Sequence, residues 1–153
     1  MPPKELCPLC PTTTNELLTE IPEADYEVVV FDNKSPSLRP PFGDYALPDY
    51  AGPETDMGKA IGKCEVIVFN SDHGQSFCDL SPNQVRTLLE AWRDRTAELS
   101  KESFIRHIAP FENRGEEIGV TLHHPHGQIY AYSYLPPRVE KMLSRSEEHT
   151  SEL

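Results

Sequence analysis

The chain has 153 residues, 14 lysines and arginines against 25 aspartates and glutamates, and a formal net charge of −11. That length suffices for one ordinary domain with a real core, and the acidic balance argues against nonspecific binding to nucleic acid. No apolar run approaches membrane-spanning length and MPPKELCPLC lacks the hydrophobic region of a signal peptide, so a cytoplasmic location without membrane contact is expected.

Cys7-Pro8-Leu9-Cys10 comes first along the chain. Such a CxxC pair holds zinc, forms a redox disulfide, or is two unrelated small residues in a loop. No thioredoxin-like pattern surrounds it, and Cys64 and Cys78 make no second CxxC, so a four-cysteine zinc ribbon is not expected. Tetrahedral zinc would then need two further ligands, for which histidine is the usual supplement. In a reducing compartment the motif favours metal over disulfide.

Four β-branched or aromatic runs have strand length: Tyr26 to Phe31, Cys64 to Phe69, Ser103 to Phe111 and Gly127 to Tyr132. Residues 117 to 123 form the approach to the last of them. Between Ser35 and Pro53 five prolines, at 36, 40, 41, 48 and 53, rule out regular structure. One helix is well signalled, with Ser81 as N-cap, Pro82 at the first helical position and Gln84 completing a capping box. Val85, Leu88, Leu89, Trp92 and Leu99 then form an apolar stripe that should cover the sheet. The expected class is α+β.

His124-Pro125-His126-Gly127-Gln128, within EIGVTLHHPHGQIYAY, carries the chemistry. In an extended segment residues i, i+2 and i+4 share a face, so His124, His126 and Gln128 are expected to project together. A neutral imidazole is a competent nucleophile at physiological pH, and an adjacent amide can hydrogen-bond a phosphate oxygen without adding charge. Arg114, Lys34 and backbone amides near Gly115 and Gly119 are candidate donors for an anionic ligand.

The stretch FENRGEEIGVTLHHPHGQIYAY resembles the active-site segment of the galactose-1-phosphate uridylyltransferases, and the resemblance spans most of residues 7 to 138. That family belongs to the histidine-triad superfamily, whose hydrolases read His-x-His-x-His; glutamine in place of the third histidine points to the transferase branch. The resemblance implies a histidine-triad-like fold, a mostly antiparallel sheet covered by a helix. It implies exchange of UMP between UDP-glucose and galactose 1-phosphate, releasing glucose 1-phosphate and UDP-galactose, with His126 as nucleophile and Gln128 on a phosphate oxygen. Asn33 would contact the uridine or ribose, and Asn113, Gly119 and Thr121 would line the uridylyl phosphate. It also implies structural Zn2+ on Cys7, Cys10, His73 and His124, and a homodimeric parent. The runner-up is a related nucleotidyl transferase or phosphorylase acting on dinucleoside polyphosphates.

Members of that family are much longer, so the resemblance makes residues 1–144 an N-terminal catalytic half, incomplete at its own N-terminus and without the second half. Such a fragment is expected to be inactive alone. Residues 145–153, Arg-Ser-Glu-Glu-His-Thr-Ser-Glu-Leu, match the translation of a common sequencing-library adapter and are expected not to be native, which removes His149 as a ligand candidate.

Overall fold

The structure, a computed structural model, describes residues 3–12, 19–42 and 59–150. Four strands, β1 (Val29–Asp32), β2 (Gly62–Val68), β3 (His107–Phe111) and β4 (His126–Tyr132), lie in the order β1-β2-β4-β3. Every pairing in that sheet is antiparallel. Two helices accompany it, α1 (Pro82–Leu99) and α2 (Pro137–Thr150). The expected α+β class, with an antiparallel sheet covered by a helix, is therefore what the chain forms.

The two inner strands account for the core. β2 is buried along both faces, with Cys64, Glu65, Ile67 and Val68 all inside. On one face Ile67 and Phe69 join Ile129 and Ala131 of β4, and Leu80, Leu88 and Leu99 close over them. On the other, Val68 packs against Cys7, Leu9, Cys10 and Ile21 of the N-terminal segment. β4 alternates: Gly127, Ile129 and Ala131 are buried, while His126, Gln128, Tyr130 and Tyr132 face the half-open side.

The α1 N-terminus forms as its sequence dictates. Ser81 Oγ accepts from the Gln84 N–H at 3.3 Å, Gln84 Oε1 accepts from the Ser81 N–H at 2.9 Å, and Pro82 occupies the first turn. Leu88 and Leu99 are buried, with Val85 and Trp92 packed beside them. Leu89 departs from the expected stripe, being 53% exposed. It sits about a quarter turn round the helix from Leu88 and Leu99, and Arg95 takes the flank the stripe would otherwise use. There the Arg95 guanidinium grips the buried Glu65 carboxylate through two hydrogen bonds of 2.9 and 2.5 Å, satisfying the one charge that β2 carries into the core.

Element ends differ from expectation for physical reasons. β1 starts at Val29, because Tyr26 turns its hydroxyl toward the N-terminal loop. β3 starts at His107, because residues 100–105 close α1 through turns such as Ile105 N–H to the Glu102 carbonyl at 3.0 Å. β4 starts at His126, so His124 lies in the bend just before the strand, and its ring meets Cys10, which packs with Val68 on the sheet face that His126 shares. Helix α2 has no counterpart in the sequence reading, and it takes in residues 145–150. Of the proline-rich segment, residues 43–53 lie outside the described residues.

Candidate active site and metal centre

A tight turn, with the Cys10 N–H donating to the Cys7 carbonyl at 3.3 Å, turns both thiols of the CxxC loop to one side. His73 arrives from the segment after β2. There Asn70 and Asp72 accept from the backbone N–H groups two residues on, at 3.0 Å each, folding the chain into successive turns that present the ring. His124 comes from the bend before β4 and is 1% exposed. The four donor atoms of Cys7, Cys10, His73 and His124 all lie within 4.8 Å of one another.

Their geometry fits a tetrahedral metal. Cys10 Sγ is 3.4 Å from His73 Nδ1 and 3.5 Å from His124 Nδ1. A tetrahedron built on zinc–sulfur and zinc–nitrogen bonds has sulfur–nitrogen edges of about 3.6 Å. His124 Nε2 lies 2.8 Å from the Asn70 carbonyl oxygen, which can only accept, so Nε2 carries the proton and the Nδ1 lone pair faces the sulfurs. Burial, together with the Cys7 sulfur beside it, pushes the Cys10 thiol up to about 12. Burial also holds His124 and His73 below the ordinary imidazole value of 6.5. For a depressed histidine the stability contribution is complete above that value and disappears as the pH falls. The metal-free protein should therefore lose melting temperature on acidification below about pH 6.5, and more steeply than a His124→Asn variant. Superimposable pH profiles for the two would contradict this.

On the open face of β4, His126 and Gln128 stand side by side. His126 Nδ1 donates to the His124 carbonyl at 2.7 Å, which leaves the Nε2 lone pair available. Gln128 Oε1 accepts from Asn33 Nδ2 at 3.1 Å, and Asn33 Oδ1 in turn accepts from the Ser35 N–H at 2.9 Å. With its oxygen occupied, the Gln128 amide presents its NH2. Gly127 between them is dictated by packing: a Cβ there would lie 2.6 Å from the Phe111 carbonyl oxygen and 3.1 Å from the Phe69 ring. Gly127→Ala should cost about 1–3 kcal/mol in a denaturant melt, since neighbouring backbone must move. An unchanged midpoint would show that β3 and β4 yield there freely.

A cavity of about 120 Å³ opens directly over this face, lined by Asn113, Gly119, Thr121, His126 and Gln128 among others. The residues the sequence singled out for phosphate are thus brought together, with Asn33 reaching Gln128 from β1. Gly119 has a φ of 80°, a left-handed conformation suited to glycine, and it closes the turn by donating its N–H to the Glu116 carbonyl at 2.9 Å. Its own amide is engaged within that turn. The exposed Lys34 ammonium pairs with Glu20 at 2.5 Å. Arg114 borders a larger adjoining cleft of about 640 Å³ that runs past His73, His124 and His126. Two groups escaped the sequence reading altogether. The Asn70 carbonyl carries no side-chain signal, and Tyr26 reads as an ordinary strand aromatic.

Residues 1–136 match the family described as galactose-1-phosphate uridyl transferase, N-terminal domain. The chain belongs to that family. It is 45% identical over 148 residues to a galactose-1-phosphate uridylyltransferase of Streptomyces lividans, covering 97% of this chain and 36% of that protein. With the Thermotoga maritima protein of the same name it shares 40% over 142 residues, 91% of this chain and 41% of the relative. A solved uridylyltransferase structure superposes with a TM-score of 0.76 at 29% identity, covering 99% of this chain and 46% of that one. The chain therefore spans less than half the length of these relatives. Among the described residues no helix is long and apolar enough to cross a membrane.

Proposed function

We propose that this chain is the nucleotide-activating half of an enzyme exchanging UMP between UDP-glucose and galactose 1-phosphate. The observation that carries the reading is the His126 Nδ1–H bond to the His124 carbonyl beside a Gln128 amide whose oxygen is already engaged. In the first half-reaction His126 Nε2 attacks the α-phosphorus. The nitrogen–phosphorus bond forms as the phosphorus–oxygen bond breaks, and glucose 1-phosphate departs with the bonding pair. In the second, galactose 1-phosphate oxygen displaces His126 and leaves as UDP-galactose. The Nδ1–H bond fixes the attacking tautomer and helps disperse the positive charge that the substituted ring carries. Gln128 donates to a non-bridging oxygen, and Asn113 and Thr121 line its surroundings.

Asn33 supports this chemistry by holding the Gln128 amide, in addition to any ribose contact. Structural zinc on Cys7, Cys10, His73 and His124 is part of the same proposal, and its contribution is to tie the N-terminal loop to the two segments that flank the nucleophile. A homodimeric parent and a cytoplasmic location complete the reading.

The test is a chimaera in which residues 1–136 replace the matching stretch of the Streptomyces lividans relative. Exchange between UDP-glucose and galactose 1-phosphate, without hydrolysis, is expected. Phosphorolysis of diadenosine polyphosphates in its place would give the site to the alternative branch.

A further inference from the structure

We propose that Tyr26 is a positioning residue of the metal centre, its single hydroxyl locking the CxxC loop to His124. The inference rests on the reading of Cys7, Cys10, His73 and His124 as zinc ligands. The Tyr26 hydroxyl donates to the Leu9 carbonyl at 2.6 Å, and Leu9 lies inside the Cys7-Pro8-Leu9-Cys10 turn. The same oxygen is 2.9 Å from His124 Nε2. Since Nε2 bears the ring proton, that proton is shared between the Asn70 carbonyl and the Tyr26 oxygen.

One phenol thus spans ligand-bearing segments more than a hundred residues apart, and the two rings lie 6.3 Å between centroids at 26°. The Leu9 carbonyl oxygen can only accept, so the 2.6 Å bond aims the phenol proton at Leu9 and leaves the oxygen lone pairs toward His124. Holding the loop and the ring in their ligating arrangement before the metal arrives removes ordering cost from the binding step. Tyr26 touches no reacting atom, and its effect on chemistry runs through His124, whose carbonyl holds His126.

The experiment titrates the metal-free chain with zinc against a chromophoric chelator, comparing wild type, Tyr26→Phe and Tyr134→Phe, the last at a 52% exposed tyrosine. Tyr26→Phe is expected to weaken zinc binding roughly tenfold to a hundredfold. Tyr134→Phe should match wild type, and all three metal-free proteins should share one far-UV spectrum. Nε2–H exchange of His124, followed by nitrogen-15 NMR, should quicken in Tyr26→Phe alone, a change that general loosening of the fold would not confine to one ring. Should Tyr26→Phe fail to fold, 4-aminophenylalanine at position 26 keeps the ring and a donor to Leu9 but is a poor acceptor from His124 Nε2, and it should weaken zinc binding in the same direction. Zinc affinity within twofold of wild type for the altered Tyr26 overturns the proposal. A wild-type chain that takes up no zinc overturns instead the metal reading beneath it.

Discussion

In zinc-containing buffer, His124→Ala and the double variant Cys7→Ser with Cys10→Ser are expected to lose bound zinc and, with it, several kcal/mol of stability. A metal that binds only the folded chain stabilises it by RT ln(1 + [L]/Kd), about 4 kcal/mol at a thousandfold excess over Kd. The candidate ligands come from three segments, so a metal held there would act as a cross-link between residues 7–10, the turn at His73 and the bend at His124. The two variants should differ once the metal is removed. Cys-to-Ser exchange is nearly isosteric, so chelator should bring wild type down to the double variant. His124→Ala should remain lower, because it empties a fully buried site and leaves the Asn70 carbonyl and Tyr26 oxygen without that N–H. Differential scanning fluorimetry with and without chelator, beside metal analysis, checks both points.

His126→Gly should fail in the opposite way. Removing the nucleophile removes the covalent intermediate, so exchange activity in the chimaera should fall by at least about four orders of magnitude. Zinc content should stay near wild type, since the His126 ring points to the open face and bonds the His124 carbonyl, not its ring. His123, exposed one position before His124, should tolerate substitution in both assays.

How much of this was legible in the sequence follows from how local each feature is. The α1 cap needed only Ser81, Pro82 and Gln84, three residues whose hydrogen bonds close on themselves, and it forms as read. The shared face of His126 and Gln128 needed only strand periodicity, and it too is present. His124 falls in a bend just before β4, which no residue type marks, so periodicity alone could not place the strand's first residue. Leu89 was misassigned because apolar spacing alone does not tell a stripe's centre from its edge; the buried Glu65 that draws Arg95 inward fixes the centre. The four candidate ligands are separated by as many as 117 positions, from Cys7 to His124, so family resemblance, not spacing, connected them. The Asn33 bond to Gln128 spans 95 positions and was invisible for the same reason. Helix α2 lies in a charged run, where Val139, Met142 and Leu143 give only a short apolar pattern at helical spacing.

The central claim is that His126 carries the uridylyl group. Its most direct test is intact-mass measurement of the chimaera after brief exposure to UDP-glucose alone, followed by peptide mapping. One uridylyl adduct per chain, located on His126, lost on adding galactose 1-phosphate and absent from His126→Gly, is the expected result. An adduct on another residue, or one that persists when His126 is replaced, would contradict the account.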